Sequence, residues 1–514
     1  MFLHGYVFIT NILHLYQLNT YILKKSFVDY LKCKKIGDIV LYFSSIFIFY
    51  LVFFLIDNFI FRVVLISIYN LFFFVYLLNF VGLVKEKDKK PLKFTRRIVR
   101  FIILYTFLYL ALLVYFATIA KNPLFFNTIV FLLPLYSITI FFLTSFISKP
   151  VECFIRLYFL YKAKNKLKKR GDLIKIGITG SYGKTSTKFI LDSILKEKYC
   201  VLSTPNSYNT PMGISKTIIE NLENKHQVLI MEMGADKVGD IKYLCKAFKP
   251  SIGILTTIGK AHLESFKSVE NIISTKCELP NNLYEKSLMC FNCDNKYIEN
   301  FASSYKKDKV LIGKHFELCA KNIKVGSFGS EFDIFYKDEM FIAVKTCLLG
   351  EYNINNILLS VGVAIKLGLS KHQIIAGIKK IKPVKNRLEL CRLNNGVILL
   401  NDGYNSNPNG CEMALKTLDM FVCNRKIVIT PGMVELGSEQ YKENYRYGLK
   451  ISKVADLVFV VNKVNKDAIK NGLFDGNFDF NNVFFVNKFK EIDFTKFLNG
   501  DVVLIENDLP DNYN

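Results

Sequence analysis

The sequence lacks tryptophan and is short of acidic residues, with 44 Asp and Glu against 68 Lys and Arg in 514 residues. The shortage is uneven, because residues 1–175 hold 24 Lys and Arg but only 7 Asp and Glu. Most of the net charge of +24 therefore belongs to the first third of the chain. This distribution argues for a membrane surface as partner and against nucleic acid.

Paired cysteine motifs are also missing. The 12 cysteines are scattered, and the one Cys-x-x-Cys spacing, Cys290 to Cys293, has no second pair and no nearby His. We interpret the cysteines as reduced thiols and this spacing as coincidence. A cleaved signal peptide is not expected, since residues 1–25 lack a basic start and a small-residue cleavage site.

Long apolar runs, by contrast, are abundant in the first third, at residues 39–56, 61–84, 101–120 and 125–147. Each approaches or exceeds the ~20 residues that cross a bilayer. Basic segments flank them at 85–100 and 149–175, so the positive-inside rule places the C-terminal two-thirds in the cytoplasm. We predict an α-helical membrane domain of four spans over residues 1–150, a basic linker over 151–172 and a multi-pass location in the cell membrane. Buried helices of a large soluble core are the alternative.

The most specific motif is Gly-Ile-Thr-Gly-Ser-Tyr-Gly-Lys-Thr-Ser at residues 177–186. It lies between an apolar strand-like run and a helical pattern, as in phosphate-binding loops, although residue 178 is Ile where the strict motif has Gly. Lys184 would reach the β and γ phosphates, and the Thr185 hydroxyl would ligate Mg²⁺. The motif predicts binding of a nucleoside triphosphate. No LSGGQ-like segment is present, which argues against an ABC-type transporter ATPase.

Strand-like and helical segments alternate between residues 173 and 385, which predicts a parallel sheet with helices on both faces. Ligands of such sheets bind at the C-terminal ends of the strands. Glu232 follows one strand-like segment, and its carboxylate would hold a hard cation through oxygen. His262 lies in a loop after the next one, where it is either a metal ligand or a structural residue.

Four motifs occur here in the order and spacing of the Mur ligases, ATP-dependent amide-forming enzymes that the chain resembles over about residues 176–436. They are Gly-x-Thr-Gly-Ser-x-Gly-Lys-Thr, Met-Glu-Met-Gly-Ala, Ile-Gly-x-Ala-His-Leu-Glu and Lys-x-Glu. Within the family the chain looks most similar to the MurF type, which joins D-alanyl-D-alanine to UDP-N-acetylmuramoyl-tripeptide. The resemblance implies an α/β P-loop central domain at 173–385 and a Rossmann-like α/β domain at 386–514.

The resemblance also implies roles for the matching residues. Those for ATP are Gly180, Ser181, Gly183, Lys184, Thr185, Ser186, Asn353, Asn356, Arg387 and Asp402. Those for Mg²⁺ are Thr185, Glu232, His262 and Lys276, with Lys276 carbamylated by CO₂ to become an oxygen ligand. The implied catalytic residues are Lys184, Lys276 and His262, and the substrate-facing ones are Asn209, Tyr404, Asn405 and Asn407. Without the motif Lys276 would be a solvated helix lysine, and Asn353 could instead cap a helix.

Two departures from the family pattern concern the substrate. The final motif Gly-Asp-x-Val-Leu-x-Lys-Gly-Ser-Arg is kept only as far as Leu504, and Glu506 opens an acidic tail in place of the basic segment. That tail would repel the carboxylate of D-alanyl-D-alanine. The apolar runs also replace the soluble domain that normally grips the UDP part of the substrate.

The predicted function is therefore an ATP-dependent peptide ligase of peptidoglycan precursor synthesis that acts through an acyl phosphate. Its partners would be a nucleotide-sugar peptide or related acid, a dipeptide amine and membrane lipid. A tethered relative that joins another acid and amine is the first alternative, and a membrane scaffold with a regulatory or vestigial NTP site is the second. The sequence leaves the oligomeric state open.

Overall fold

A computed structural model describes Leu13, Tyr16, Gln17, Tyr21 and residues 93–119, 123–404 and 406–507. Two compact units account for the chain, one formed by Met1–Leu157 with Leu509–Asn514 and the other by Tyr158–Asp508. The catalytic motifs all lie in the second unit.

Two helices make up the described part of the first unit, α1 (Arg96–Ile119) and α2 (Pro123–Lys168), and α2 continues into the second unit. On α1, Phe101 and Tyr105 are buried in a cluster that includes Tyr16 and Phe141. Arg100 of α1 donates to Glu152 of α2, with Nε 3.0 Å from Oε1. Apolar and ionic contacts therefore both join the helices of this unit.

The four-span prediction is wrong. Within the described ranges, no helix has the length and apolar character that crossing a membrane requires. The runs at 101–120 and 125–147 fall on α1 and α2, whereas those at 39–56 and 61–84 lie outside the described residues. The predicted multi-pass location depended on these spans and is therefore wrong, and nothing in the described residues supports the predicted lipid partner. Run length misled because an apolar run does not distinguish a span from a helix whose apolar face packs against protein.

The second unit contains two sheets, and the first has nine strands in the order β2-β3-β1-β4-β5-β6-β7-β8-β9. Strands β2 to β7 pair in parallel, and β7, β8 and β9 pair antiparallel, so this sheet is mixed. Its strands are β1 (Ile174–Thr179), β2 (Val201–Ser203), β3 (Val228–Glu232), β4 (Ile252–Leu255), β5 (Leu288–Asn292), β6 (Lys309–Ile312), β7 (Leu318–Gly326), β8 (Gly329–Tyr336) and β9 (Glu339–Thr346).

Helices cover both faces of this sheet. The central strands β3 and β4 are buried at every position and are apolar except for Glu232 at the end of β3, as expected for strands covered on both sides. One core contains Ile190, Ile357 and Ile374, and the other contains Ile214, Leu244 and Leu279. The helices are α3 (Lys184–Leu195), α4 (Pro211–Asn221), α5 (Asp240–Phe248), α6 (Leu263–Phe266), α7 (Val269–Asn281), α8 (Lys296–Ser304), α9 (Tyr352–Lys366) and α10 (Lys371–Lys379).

The second sheet has six strands in the order β10-β11-β15-β12-β13-β14, all parallel except β10. They are β10 (Glu389–Arg392), β11 (Ile398–Asp402), β12 (Lys426–Thr430), β13 (Leu457–Val461), β14 (Val483–Val486) and β15 (Val502–Glu506). Helices α11 (Pro408–Asp419), α12 (Gln440–Ile451) and α13 (Lys466–Asp475) connect them. The catalytic part of the chain is therefore α/β, as predicted, although neither sheet is purely parallel.

Candidate active site

The phosphate loop joins the end of β1 to the start of α3. Gly180 has φ +151° and Gly183 has φ +79°, both in the region that favours glycine. A Cβ atom at Gly180 would lie 2.1 Å from Oγ1 of Thr256, so no other residue fits there without a shift. The Ser181 N–H donates to the Thr257 carbonyl at 2.6 Å. The loop is thereby held against the C-terminal end of β4, with the α3 N-terminus beside it, as an anion-binding site requires.

Lys184 lies over this loop. Its Nζ donates to the carbonyls of Gly180 at 2.7 Å and Ser181 at 3.0 Å. Burial lowers the pKa of Lys184 to about 8, opposed by the nearby carboxylate of Glu232. The amine therefore remains mostly charged at neutral pH while lying beside the phosphate loop.

Thr185 and Glu232 meet at the edge of the sheet. Thr185 lies on α3, the helix that follows β1, and Glu232 ends β3, which pairs with β1 with Ile178 and Glu232 in register. Thr185 Oγ1 donates to Glu232 Oε2 at 3.0 Å. The predicted substrate residue Asn209 donates through Nδ2 to the other carboxylate oxygen at 3.1 Å. Hydroxyl and carboxylate oxygens are the donors that Mg²⁺ prefers, so these residues fit the predicted cation.

Lys276 lies on α7 and is only 4% exposed. Burial, followed by the positive charge of Lys184, lowers the pKa of Lys276 to about 7, while Asp236 and Asp240 act in the opposite direction. Lys276 is thus a buried amine within electrostatic reach of the phosphate-loop lysine. It is not the solvated helix lysine of the alternative interpretation.

His262 contacts Glu435, which lies in the loop after β12. Its Nδ1 lies 2.6 Å from Oε2 of Glu435, and both residues have left-handed backbones, with φ of +52° and +64°. A carboxylate at Nδ1 favours the tautomer with its proton there, which leaves Nε2 as the lone-pair nitrogen. Among the described residues, no group of three or more His, Cys, Asp or Glu side chains is arranged to hold a metal ion. The metal role of His262 stays a prediction.

Asn353 and Asn356 both lie on α9 and are buried. Asn356 accepts from Thr187 Oγ1 at 3.0 Å and donates to Asn353 Oδ1 at 3.0 Å. Asn353 also donates to the Leu349 carbonyl, and the N-cap position of α9 is occupied by Glu351 and not by Asn353. The pair therefore packs against the helix of the phosphate loop, and Ser186 of that helix is buried as well.

The second sheet contributes residues at the ends of β10 and β11. Asp402 Oδ1 accepts from the Leu388 N–H at 3.0 Å, and Arg387 donates to the Tyr404 carbonyl at 3.1 Å with its guanidinium 4.1 Å from the ring centre. Tyr404 Oη lies 3.1 Å from Oγ of Ser207, in the loop that follows β2. Tyr404 therefore bridges the two sheets' loops.

The substrate roles of Asn405 and Asn407 stay predictions. Asn407 caps α11, since its Oδ1 accepts from the Gly410 N–H at 2.9 Å, which is a sufficient structural reason for an Asn there. Asn405 lies outside the described residues.

Glu506 is fully buried beside Asp402. The two residues are register partners on the parallel strands β15 and β11. Oε1 of Glu506 accepts from Ser406 and from Cys411, whereas its Oε2 has no hydrogen-bond partner among the described residues. Burial raises the pKa of Asp402 to about 6 and that of Glu506 well above its usual range. The first acidic residue of the tail is therefore an internal group and not part of an exposed surface.

Sequence reasoning missed Lys188, Glu435 and Lys260. Lys188 contacts Glu232, and Lys260 contacts Glu439 and Glu443, 3.1 Å and 3.0 Å away. The spacing of Lys188 from Lys184, one helical turn, was a usable signal, because residues i and i+4 share a helix face. Glu435 and Lys260 had no local signal, since their partners lie 173 to 183 residues away.

Comparison with known proteins agrees with this geometry. Residues 178–364 match the family model of the Mur ligase middle domain. The UDP-N-acetylmuramoyl-tripeptide–D-alanyl-D-alanine ligase of Buchnera aphidicola subsp. Baizongia pistaciae is 32% identical over 296 residues, 57% of this chain and 64% of that enzyme. The enzyme of the same name from Bacillus subtilis is 27% identical over 59% of this chain and 65% of its own length. The chain thus spans slightly under two-thirds of these relatives.

Solved structures show the same fold. MurF of Thermotoga maritima in complex with ADP is 26% identical, with a TM-score of 0.61 over 68% of this chain and 80% of that one. MurF of Acinetobacter baumannii has a TM-score of 0.62 at 22% identity, over 68% and 77% of the two chains. By sequence, residues 178–364 match the Mur ligase middle domain, and the chain has a fold similar to that of these two MurF structures.

Proposed function

We propose that this chain is an ATP-dependent ligase of the MurF type, which joins D-alanyl-D-alanine to UDP-N-acetylmuramoyl-tripeptide. The observation that carries the proposal is the Thr185–Glu232 contact at 3.0 Å, beside a glycine loop that Lys184 covers. Phosphate and cation sites are thereby adjacent at one sheet edge, as phosphoryl transfer requires. The names of the relatives, which match this chain over somewhat less than two-thirds of their length, support the choice of substrates.

ATP would bind with its phosphates at residues 180–186 and its adenosine toward Asn353, Asn356, Arg387 and Asp402. Mg²⁺ would be held by Thr185 and Glu232, where it would neutralise charge on the phosphate oxygens. The Gly180 backbone fits this assignment, because the space that a side chain would need is already filled by Thr256 and Thr257. Lys184 contributes a further positive charge at the same place.

Carbamylation of Lys276 belongs to the proposal as well. Loss of one proton from the ammonium gives a neutral amine, which attacks CO₂, forms an N–C bond and releases a second proton. A cationic side chain thereby becomes an anionic oxygen ligand. Because burial lowers the pKa of Lys276 to about 7, much of this amine is neutral at physiological pH. The carbamate would also be attracted to Lys184, whereas the ammonium form of Lys276 is repelled by it.

In the proposed reaction, a substrate carboxylate oxygen attacks the γ-phosphorus of ATP, the bond to the bridging oxygen breaks, and ADP leaves. The amine then attacks the acyl phosphate carbon and loses a proton, and phosphate leaves from the tetrahedral intermediate. This chain's residues chiefly orient the reactants and balance charge. Tyr404, whose Oη contacts Ser207, links the loops on which acid and amine would meet.

The experiment is ATP-dependent release of phosphate by the full-length protein with UDP-N-acetylmuramoyl-tripeptide and D-alanyl-D-alanine, with the ligated product identified by mass. Lys184→Ala is the inactive control, and omission of each substrate in turn tests coupling. Product that needs both substrates supports the proposal. ATP binding without product from this pair would overturn the substrate assignment and leave only the nucleotide site.

A second candidate is a ligase that joins a different acid and amine. The observation in its favour is Glu506, a buried acid where the family motif has Lys. Assaying the same protein with a panel of free amino acids and dipeptides, including basic ones, separates the two candidates. Preference for another amine over D-alanyl-D-alanine would favour the second.

A further inference from the structure

Lys188 is a buried ammonium in the middle of the candidate site. Its side chain is 0% exposed, that of Glu232 is 2% exposed, and Nζ lies 3.3 Å from Glu232 Oε2. This is the same oxygen to which Thr185 donates. Removing two charges from water is costly, so a pair buried this completely at a proposed cation site calls for a role beyond stability.

The ammonium of Lys188 also reaches the loop that follows β2. It donates to the backbone carbonyl of Asn206, a residue with a left-handed φ of +45°. In the same loop, Thr204 Oγ1 accepts from the Glu232 N–H at 3.2 Å, and Asn209 Nδ2 donates to Glu232 Oε1 at 3.1 Å. Residues 204–209 are therefore attached to Glu232 at three points, of which Lys188 is the one that carries charge.

We infer that Lys188 is a positioning residue: it is the internal counter-ion of Glu232 and holds the 204–209 loop against that carboxylate. The inference rests on the proposed function, in which Glu232 ligates the cation and the loop faces the acid substrate. A divalent cation bound to Glu232 Oε2 would be repelled by the positive charge of Lys188, which contacts the same oxygen. Lys188 thus lowers the cation affinity of the free site while keeping the substrate loop in place.

Lys188→Met tests both the effect on cation affinity and the attachment of the 204–209 loop, because methionine nearly keeps the length of the side chain and removes its charge. We expect Mn²⁺, titrated without nucleotide and followed by electron paramagnetic resonance, to bind about tenfold more tightly, since a like charge next to the ligand has been removed. We also expect faster amide hydrogen exchange in residues 204–209. Lys188→Arg, which keeps the charge, should stay close to the unmodified protein in both measurements.

Lys198→Met is the matched control. Lys198 is also a lysine that donates to backbone carbonyls, those of Leu367 and Gly368, but it does not contact the site. Its loss should leave Mn²⁺ affinity and exchange in the 204–209 loop unchanged. Unaltered Mn²⁺ affinity and loop exchange in Lys188→Met would overturn the inference and leave Lys188 a structural residue.

If Lys188→Met fails to fold, the double variant with Lys188→Met and Glu232→Gln replaces it, because that variant removes both buried charges together. Faster exchange in the loop of the double variant than in Glu232→Gln alone would support the tether, and equal exchange in the two would contradict it. Neither Mn²⁺ binding nor hydrogen exchange needs the acid substrate. The role of Lys188 can therefore stand or fall separately from the choice of UDP-N-acetylmuramoyl-tripeptide, which only the turnover assay tests.

Discussion

Asp402 and Glu506 are register partners on the parallel strands β11 and β15, so two carboxyl groups lie side by side at one edge of the second sheet. Glu506 is 0% exposed, and burial is the main cause of the raised pKa of both groups. Each is expected to titrate near pH 4 in the unfolded chain. The folded protein therefore binds more protons than the unfolded chain from about pH 4 up to at least 6.

This difference predicts how stability depends on pH. At low pH both groups are protonated, and the pair should not lower the free energy of unfolding. As pH rises through 6 the free energy of unfolding should fall, because Asp402 must then lose its proton beside a buried acid. Glu506→Gln should raise the unfolding temperature more at pH 8 than at pH 5, measured by differential scanning calorimetry. Glu331→Gln, at an exposed residue paired with Lys345, is the control and should show little pH-dependent difference. A Glu506→Gln effect that is equal at both pH values would contradict the prediction.

Lys276→Ala should abolish turnover and leave ATP binding largely intact. The reason is that Lys276 lies on α7, outside the phosphate loop, while its amine is buried with a pKa of about 7. Turnover should fall by on the order of 100-fold or more, the effect of losing one preorganised charged group. The ¹³C nuclear magnetic resonance spectrum in ¹³C-bicarbonate should show a carbamate signal that is absent from the variant. Normal turnover by Lys276→Ala would remove the carbamate from the mechanism.

Gly180→Ala should damage the phosphate loop severely. Its Cβ would meet Thr256 Oγ1 at 2.1 Å and the Thr257 backbone at 3.0 Å, at a φ of +151°. We expect a loss of on the order of 3 kcal/mol in the free energy of unfolding, from strain and overlap together, and loss of ATP binding. Gly239→Ala separates the two causes, because Gly239 has φ +96° with no atom within 4 Å of a Cβ, and should cost only about 1 kcal/mol. Urea unfolding and ATP titration measure both variants.

Glu435→Gln should reduce turnover through His262. Glutamine keeps the side-chain size but loses the negative charge that lies 2.6 Å from Nδ1. If His262 acts as a metal or catalytic residue, kcat/KM should fall by about 10- to 100-fold, the usual cost of losing a carboxylate partner of a histidine. Glu439→Gln, which affects the Lys260 ion pair, is the control for a general loss of contacts between the two sheets' loops. Equal losses in both variants would show that Glu435 serves only as such a contact.

How far the sequence predicted the structure differs between features. Local chemistry was predictable: the glycine loop, Lys184, Thr185 and Glu232 lie at adjacent strand ends, because parallel strands bring their C-terminal residues to one edge. The apolar runs were misread. Residues 101–120 and 125–147 are rich in apolar side chains, but the helices on which they lie are not long and apolar enough to cross a membrane. Apolar composition reports a tendency to leave water and does not identify the surface that is contacted.

By itself, the sequence determined the α/β character of the catalytic part and the position of the phosphate loop, because both depend on short-range patterns of glycine, apolar residues and charge. Only the tertiary structure decided that His262 pairs with Glu435, that Lys188 is buried against Glu232, and that Glu506 lies inside the protein beside Asp402. These contacts join residues 44 to 173 positions apart, or depend on strand register. Hydrogen bonds and ion pairs act over a few ångströms, so their partners are settled only when the sheets have formed.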